Sequence, residues 1–585
     1  GGAGGEVGGA GGEVGGAGGE ALPTWVGELY LETHRGTYTT HGEIKRANRQ
    51  NELLLREAEI AGFMAEAAGM PTDLRPLDAA WENLLLLQFH DILPGSSIGE
   101  VYREAAADHT RIAATARAAR DAAWRHLAAQ AAGPAEIVAF NSLSWPRGDV
   151  ATVVLPEGAL PVHMGCDCAP ALELVAADGR PRPGQVVRQA DGQVELAFAA
   201  EGVPATGYAA FALRQAAAAA DSSLRISPRL IENRFFRIEL DADGCIVRLL
   251  DRRYGREVIP AGRRGNELQL FQDGPEREAA WNIHATFEKR RYAWDPDVTI
   301  AVIEAGPVRG GVRITRRYRT STIVQDVLVY DHLPRIDFVT QADWQERQVL
   351  LKAAFPVAVR SPRATFEIQF GAVERPTHRN TSWEQEKFEV CGHRWADLSE
   401  PGYGVSLLND CKYGYDVRDN VLRLTLLRGP ESPDPDADRG HHRFTYALYP
   451  HAGDWTQADT VRRGWELNVP VVCIATDHRP TADDRPTTAR AASFLQVEGP
   501  AVLEAIKPAE DGDGWIVRLY EPHGGRGTVT LRSERPWREI VSCNLVEENA
   551  GPIAAAGQIA TLPIRPFEIV ALRMRFGHSG QLRVS

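Results

Sequence analysis

Gln88-Phe89-His90-Asp91-Ile92-Leu93-Pro94-Gly95 is the stretch from which the rest of the chain is read. An apolar helical pattern runs into it from Trp81 through Leu84, Leu85 and Leu87. Pro94 and Gly95 end that helix, because proline lacks an amide and glycine accepts left-handed angles. Ser97 and Glu100 then have the S-x-x-E spacing of a reciprocal cap, which predicts a new helix. A second helix over Leu77 to Asp91 and a third from Ile98 to Gln130 therefore meet at a tight corner that carries His90 and Asp91. An imidazole beside a carboxylate at a rigid corner suits a metal site or a polar pocket. The same pair also suits a solvated cap or a buried hydrogen-bonded couple, so the motif alone fixes local fold and not chemistry.

Upstream, Thr40 and Glu43 have the same capping spacing and predict a first helix running to about Gly69. Leu54, Ala58, Ala61 and Ala65 mark its buried stripe. Downstream, Gly133-Pro134 ends the third helix. Three long antiparallel helices with short connections predict a three-helix bundle over residues 22–133, including an aromatic-rich lead-in. From Glu136 the period becomes alternating. Phe236, Ile238 and Leu240 lead to a turn at Asp241–Gly244 and resume at Ile246, a hairpin. Short apolar runs recur at 268–271, 323–329, 366–370 and 420–427, the pattern of antiparallel sandwiches. The expected fold class is α+β multidomain, a three-helix bundle followed by large antiparallel β-sandwich domains. The expected divisions are a small β-domain at 134–220, a large β-sandwich at 221–478 and a terminal β-domain at 491–585. Acidic, proline-rich 431–440 reads as an exposed loop and 479–490 as a linker. Residues 1–21 are a glycine-rich repeat with almost nothing to bury, which predicts disorder.

Composition narrows the function. Of 585 residues, 44% are hydrophobic and 24% charged, ordinary for a globular protein. A net charge of −13 argues against nucleic acid, whose phosphates require a basic surface. No run approaches the ~20 apolar residues of a membrane helix, and no charged-then-apolar signal opens the chain. Seven scattered cysteines make no disulfide framework, which favours a cytoplasmic setting; only Cys166 and Cys168 are close-set, and they have no second pair for metal.

Two longer blocks carry a resemblance. Residues 25–52 read WVGELYLETHRGTYTTHGEIKRANRQNE, and residues 374–416 read ERPTHRNTSWEQEKFEVCGHRWADLSEPGYGVSLLNDCKYGYD. With the His90-Asp91 corner between them, they resemble, in order, signature blocks of glycoside hydrolase family 38, the α-mannosidases of microbial and vacuolar type. The resemblance covers most of residues 22–585. It implies zinc-dependent retaining hydrolysis of terminal α-linked mannose from oligosaccharides. It also implies a preceding catalytic α/β domain that carries a metal-binding His-x-Asp segment, the nucleophile and the acid/base carboxylate. Those motifs do not occur in these residues, so the chain is expected to be truncated and catalytically incomplete, with the missing domain as a possible partner in trans.

By the same resemblance, His90 matches a zinc ligand and Asp91 the neighbouring carboxylate that accepts hydrogen bonds from sugar hydroxyls. Glu28 and His34 lie where relatives place an acidic and an aromatic pocket residue; a histidine in place of tryptophan leaves sugar stacking there open. Arg35 and Tyr38 are within reach of such a pocket, with Tyr38 equally suited to core. The loops 377–383 and 409–415 mix polar and aromatic residues, which fits either a sugar-lining wall or a polar turn network between sheets. Trp383, Asp410 and Tyr413 are the substrate-binding candidates there. His441-His442 looks like a metal pair, but adjacent strand residues point to opposite faces. Two other functions fit parts of the pattern: a non-catalytic carbohydrate-binding or structural module, and an all-helical His-Asp phosphohydrolase, which the long β-region disfavours.

Overall fold

The computed structural model describes residues 24–29, 33–131, 137–155, 171–190, 193–218, 220–275, 277–284, 286–476 and 491–577. The glycine-rich leader, the Gly133-Pro134 stop, Cys166, Cys168 and the 479–490 linker lie outside the described residues. The chain divides into a unit of residues 1–32 and a unit of residues 33–585. In the first, the Trp25 indole donates to the Glu28 carbonyl at 3.1 Å.

The second unit opens with three helices, α1 (Gly42–Ala67), α2 (Arg75–Leu87) and α3 (Gly99–Ala131). Leu55, Ala58, Leu77, Leu84, Tyr102, Ile112 and Ala116 pack together between them. The predicted stripe of α1 is buried throughout, but it serves two cores. Leu54 and Ala58 face α2 and α3. Ala61 and Ala65 join Trp124, Phe140 and the terminal sandwich. The small side chains let Trp124 reach the sheet, where its ring stacks on Phe140 at 4.9 Å.

Four local expectations are corrected. Helix α2 ends at Leu87 and not at Asp91. Its last amides, Gln88 and Phe89, bond three residues back to Leu85 and Leu86, so the chain tightens before Pro94 removes a donor. The Thr40–Glu43 cap does not form, because His41 takes the cap position with left-handed angles. Thr40 instead donates to the carbonyls of Gly36 and Ala280, at 3.0 and 2.9 Å. The free amides of His41 and Gly42 are met by Asp438, at 3.2 and 2.7 Å. The 431–440 loop is thus not simply exposed: Asp434, Ala437 and Asp438 are buried. Likewise the Ser97 amide is taken by the Tyr102 hydroxyl at 2.8 Å, while Glu100 faces Arg103 at 3.8 Å. Sequence-local capping rules miss partners supplied by tertiary structure. Asp438→Ala should therefore cost about 1 kcal/mol, as loss of a helix cap does, although it lies far from the helix in sequence. Thermal melts of the variant check this, and an unchanged midpoint would show that water replaces the carboxylate.

Most of α1 is enclosed on more than one side, and Lys45, Arg49, Arg56, Glu57 and Glu59 are all buried. Burial pushes the Glu59 carboxyl up to about 8, with the Trp81 indole donating to it at 3.2 Å. In the folded protein Glu59 keeps a proton that the unfolded chain releases near 4.5. Its contribution is therefore complete below that value and is lost as pH rises toward 8. Glu59→Gln should remove this loss. The melting temperature of the variant relative to the parent should be higher at pH 8 than at pH 5, and an equal difference at both would refute the protonated state.

The remaining residues form antiparallel sheets. The strand Ile137–Asn141 lies between Gly207–Gln215 and Val472–Ala475 in an eight-stranded sheet. A five-stranded sheet contains the predicted hairpin, Phe236–Leu240 against Ile246–Asp251. Six-stranded and nine-stranded sheets face each other, with Phe355 of one packed on Phe338 and Tyr446 of the other. Four-stranded and five-stranded sheets over residues 495–576 enclose Leu531, Leu562, Leu519 and Leu572, the same core that receives α1 and α3.

Candidate functional site at the helix corner

The corner between α2 and α3 presents His90 and Asp91 side by side. His90 Nε2 is 3.4 Å from an Asp91 carboxylate oxygen, and their side chains are 78% and 49% exposed. The pair is thus neither a helix cap nor a buried couple, and both groups are available to something outside. Phe89 lies against the imidazole at 4.2 Å. Leu85, Leu86, Phe89 and Ile98 are all at least half exposed around the same turn, an apolar rim of the kind that marks an interaction surface.

Polar contacts lead from this corner into the fold. Gln88 donates to Glu52 at 2.7 Å and to Asn48 at 3.1 Å. One residue along α1, Arg49 donates to the Tyr413 hydroxyl at 3.0 Å and lies 4.2 Å from its ring centroid. Tyr413 belongs to the 409–415 turn, which carries the chain from the nine-stranded to the six-stranded sheet. Asn409 holds that turn: its side-chain oxygen accepts from the amides of Cys411 and Lys412, and its amide group donates to the His393 carbonyl. Asp410 anchors through its own amide to the Thr445 carbonyl at 3.0 Å, and its Oδ1 is buried without a hydrogen-bond partner among the described residues. Of the two readings of this loop, the turn network is what these contacts build.

In the lead-in, His34 is half-buried beside Thr33, its Nδ1 3.3 Å from the hydroxyl. Arg35 is only 1% exposed. Its guanidinium donates twice to the Glu386 carbonyl, at 3.1 and 3.0 Å, and lies over Phe388. Arg35 thereby fastens the lead-in to α4 (Ser382–Glu386), the short helix that carries Trp383, which is 67% exposed. Here a capping box does form, between Thr381 and Glu384; its T-x-x-E spacing was readable. Burial, ahead of the Cys391 thiol, pushes the half-buried Tyr38 hydroxyl up to about 12. His441 is exposed, whereas His442 is buried between Glu43 and the Asp438 carbonyl, so the two do not converge. Sequence reasoning missed Lys45, Asn48, Arg49, Glu52 and Gln88. A density of polar residues within a buried helix was the available signal.

A catalytic zinc site takes about three protein ligands. His90 and Asp91 offer at most two donor groups, and no cluster of three metal-capable side chains exists among the described residues. These residues alone do not fit a zinc site.

The described residues thus combine a helical region carrying an outward imidazole and carboxylate with a series of antiparallel sheets. Residues 32–127 match the α-mannosidase middle domain, 231–436 the glycosyl hydrolases family 38 C-terminal domain, and 500–572 that family's C-terminal β-sandwich domain. Human alpha-mannosidase 2C1 is 35% identical over 567 residues, covering 94% of this chain and 50% of the relative. Alpha-mannosidase G of Dictyostelium discoideum is 32% identical, with 94% and 53% covered. An α-mannosidase crystal structure from Enterococcus faecalis V583 superposes with a TM-score of 0.75 at 18% identity, over 93% of this chain and 69% of that one. The chain belongs to glycosyl hydrolase family 38 and carries its middle and C-terminal domains. It spans about half the length of the curated relatives it matches.

Proposed function

We propose that this chain forms the outer wall of an α-mannosidase active site, in a protein that removes terminal α-linked mannose from oligosaccharides. The observation that carries this reading is the outward pair of His90 and Asp91 within an apolar rim. A three-helix bundle of α1, α2 and α3 is the platform, and the catalytic domain that the family resemblance implies ahead of these residues covers the rim. Retaining hydrolysis needs a nucleophile and an acid/base carboxylate about 5–5.5 Å apart, and both belong to that domain. His90 contributes one ligand to a zinc ion whose other ligands come from there. Asp91 accepts hydrogen bonds from sugar hydroxyls, and a charged acceptor makes the stronger bond. Trp383, His34 and Tyr38 are substrate-side candidates, while Arg35, Tyr413 and Asp410 hold the wall in place. The scattered cysteines favour the cytoplasm. The test is a metal-supplemented assay with an aryl α-mannoside, on the 585-residue chain and on the chain preceded by a family catalytic domain. Turnover by the second alone is expected. Turnover by the isolated chain would overturn the division of labour, and none in either would favour a non-catalytic carbohydrate-binding module.

A further inference from the structure

The side chains of His90 and Asp91 are exposed, so their placement depends on the backbone beneath them. Lys45, 4% exposed on the first turn of α1, lies under the segment that follows the pair. Its ammonium donates to the carbonyls of Leu93 and Pro94, at 2.9 and 3.2 Å, and closely to that of Thr40. An ammonium has three N–H donors and no acceptor; here each donor has a carbonyl. The turn is held from two other directions. Tyr102 donates to the Asp91 carbonyl at 3.2 Å while accepting from the Ser97 amide. Gly95, at φ +90°, passes so near Thr40 that an added Cβ would sit 2.4 Å from its carbonyl oxygen.

We infer that Lys45 is a positioning residue for the His90–Asp91 pair, locking the turn after them to the segment before α1. The inference rests on the reading of that pair as part of the site, and it adds a residue that touches neither metal nor sugar. No apolar side chain of similar length can replace it, because three carbonyls in a water-poor pocket would lose their donors together. The Asp438 carboxylate faces the ammonium and favours its charge, against burial and the Lys412 and Arg428 cations.

Two measurements on Lys45→Met test this. The first is amide hydrogen exchange across 89–98 in the full chain. Exchange there should quicken at least about tenfold in the variant, with residues 105–116 of α3 unchanged as the control for intact folding. Unchanged exchange at the corner would overturn the inference. The second uses the chain preceded by the catalytic domain: kcat should fall about tenfold or more with KM little altered. If His90→Ala abolishes turnover while Lys45→Met leaves kcat intact, Lys45 does not position the pair. If His90→Ala is itself harmless, the reading of the site fails, and the exchange data still decide whether Lys45 locks the turn.

Discussion

His90→Ala, in the chain preceded by a family catalytic domain, is expected to lower kcat/KM for an aryl α-mannoside by at least about a hundredfold. The imidazole is 78% exposed, with Phe89 and Asp91 as its neighbours among the described contacts, so its removal opens no buried cavity. The fold should be untouched, with a melting midpoint unchanged within error. That separation matters, because a loss of activity from a folded protein can only come from what the imidazole meets outside this chain. Loss of a metal ligand should also lower zinc content, measured by elemental analysis after dialysis. Asp91→Asn is the milder companion, since it keeps the shape and removes the charge. It should raise KM for the sugar about tenfold, the cost of one charge-assisted hydrogen bond, and leave zinc content alone. If His90→Ala retains both zinc and turnover, the corner is not part of the active site.

The corner was legible because its signals are local. Proline and glycine mark the corner within the quoted stretch, although α2 already ends at Leu87, and the alternation that marks Phe236–Leu240 needs no knowledge of the rest of the chain. What the sequence could not show was set by distance. Asp438 caps α1 from the far end of the β-region, so a window around Thr40 sees only the nearer, unused partner. Arg35 reads as a sugar-binding cation until the structure shows its guanidinium committed to Glu386. Tyr413 reads as a pocket aromatic, but Arg49, 364 residues earlier, occupies both its hydroxyl and its ring face. In each case the residue type was read for what it can bind, and tertiary packing had already supplied the partner. His90 and Asp91, by contrast, keep exposed side chains at the corner, as Trp383 does on its short helix.

Lys352→Met should be the most destabilising single change in the β-region. Lys352 is fully buried on the strand Val349–Pro356, and its ammonium donates to both Glu389 and Asp416, the latter at 2.7 Å. Asp416 also accepts from Arg423, at 2.7 Å, and Glu389 from Thr425. The neighbouring cations hold the Asp416 carboxyl below its ordinary range against the opposing effect of burial, whereas burial raises that of Glu389. Methionine fills the lysine's volume but withdraws a cation that bonds both Glu389 and Asp416. The two buried carboxylates are then left with one counter-charge fewer. Breaking one partner out of a buried ion network costs about 3–5 kcal/mol, which should lower the melting temperature by about 10 °C or leave the chain insoluble. The consequence reaches the site, because Glu389 and Thr39 both pack on Gly414, at the end of the turn that carries Tyr413. The control is Lys352→Met with Glu389→Gln, which removes one of the two carboxylate charges along with the cation and should recover about half of the loss. A single variant that melts within a degree of the parent, or a double variant no better than the single, would mean that water or a shifted Arg423 takes over the lysine's role.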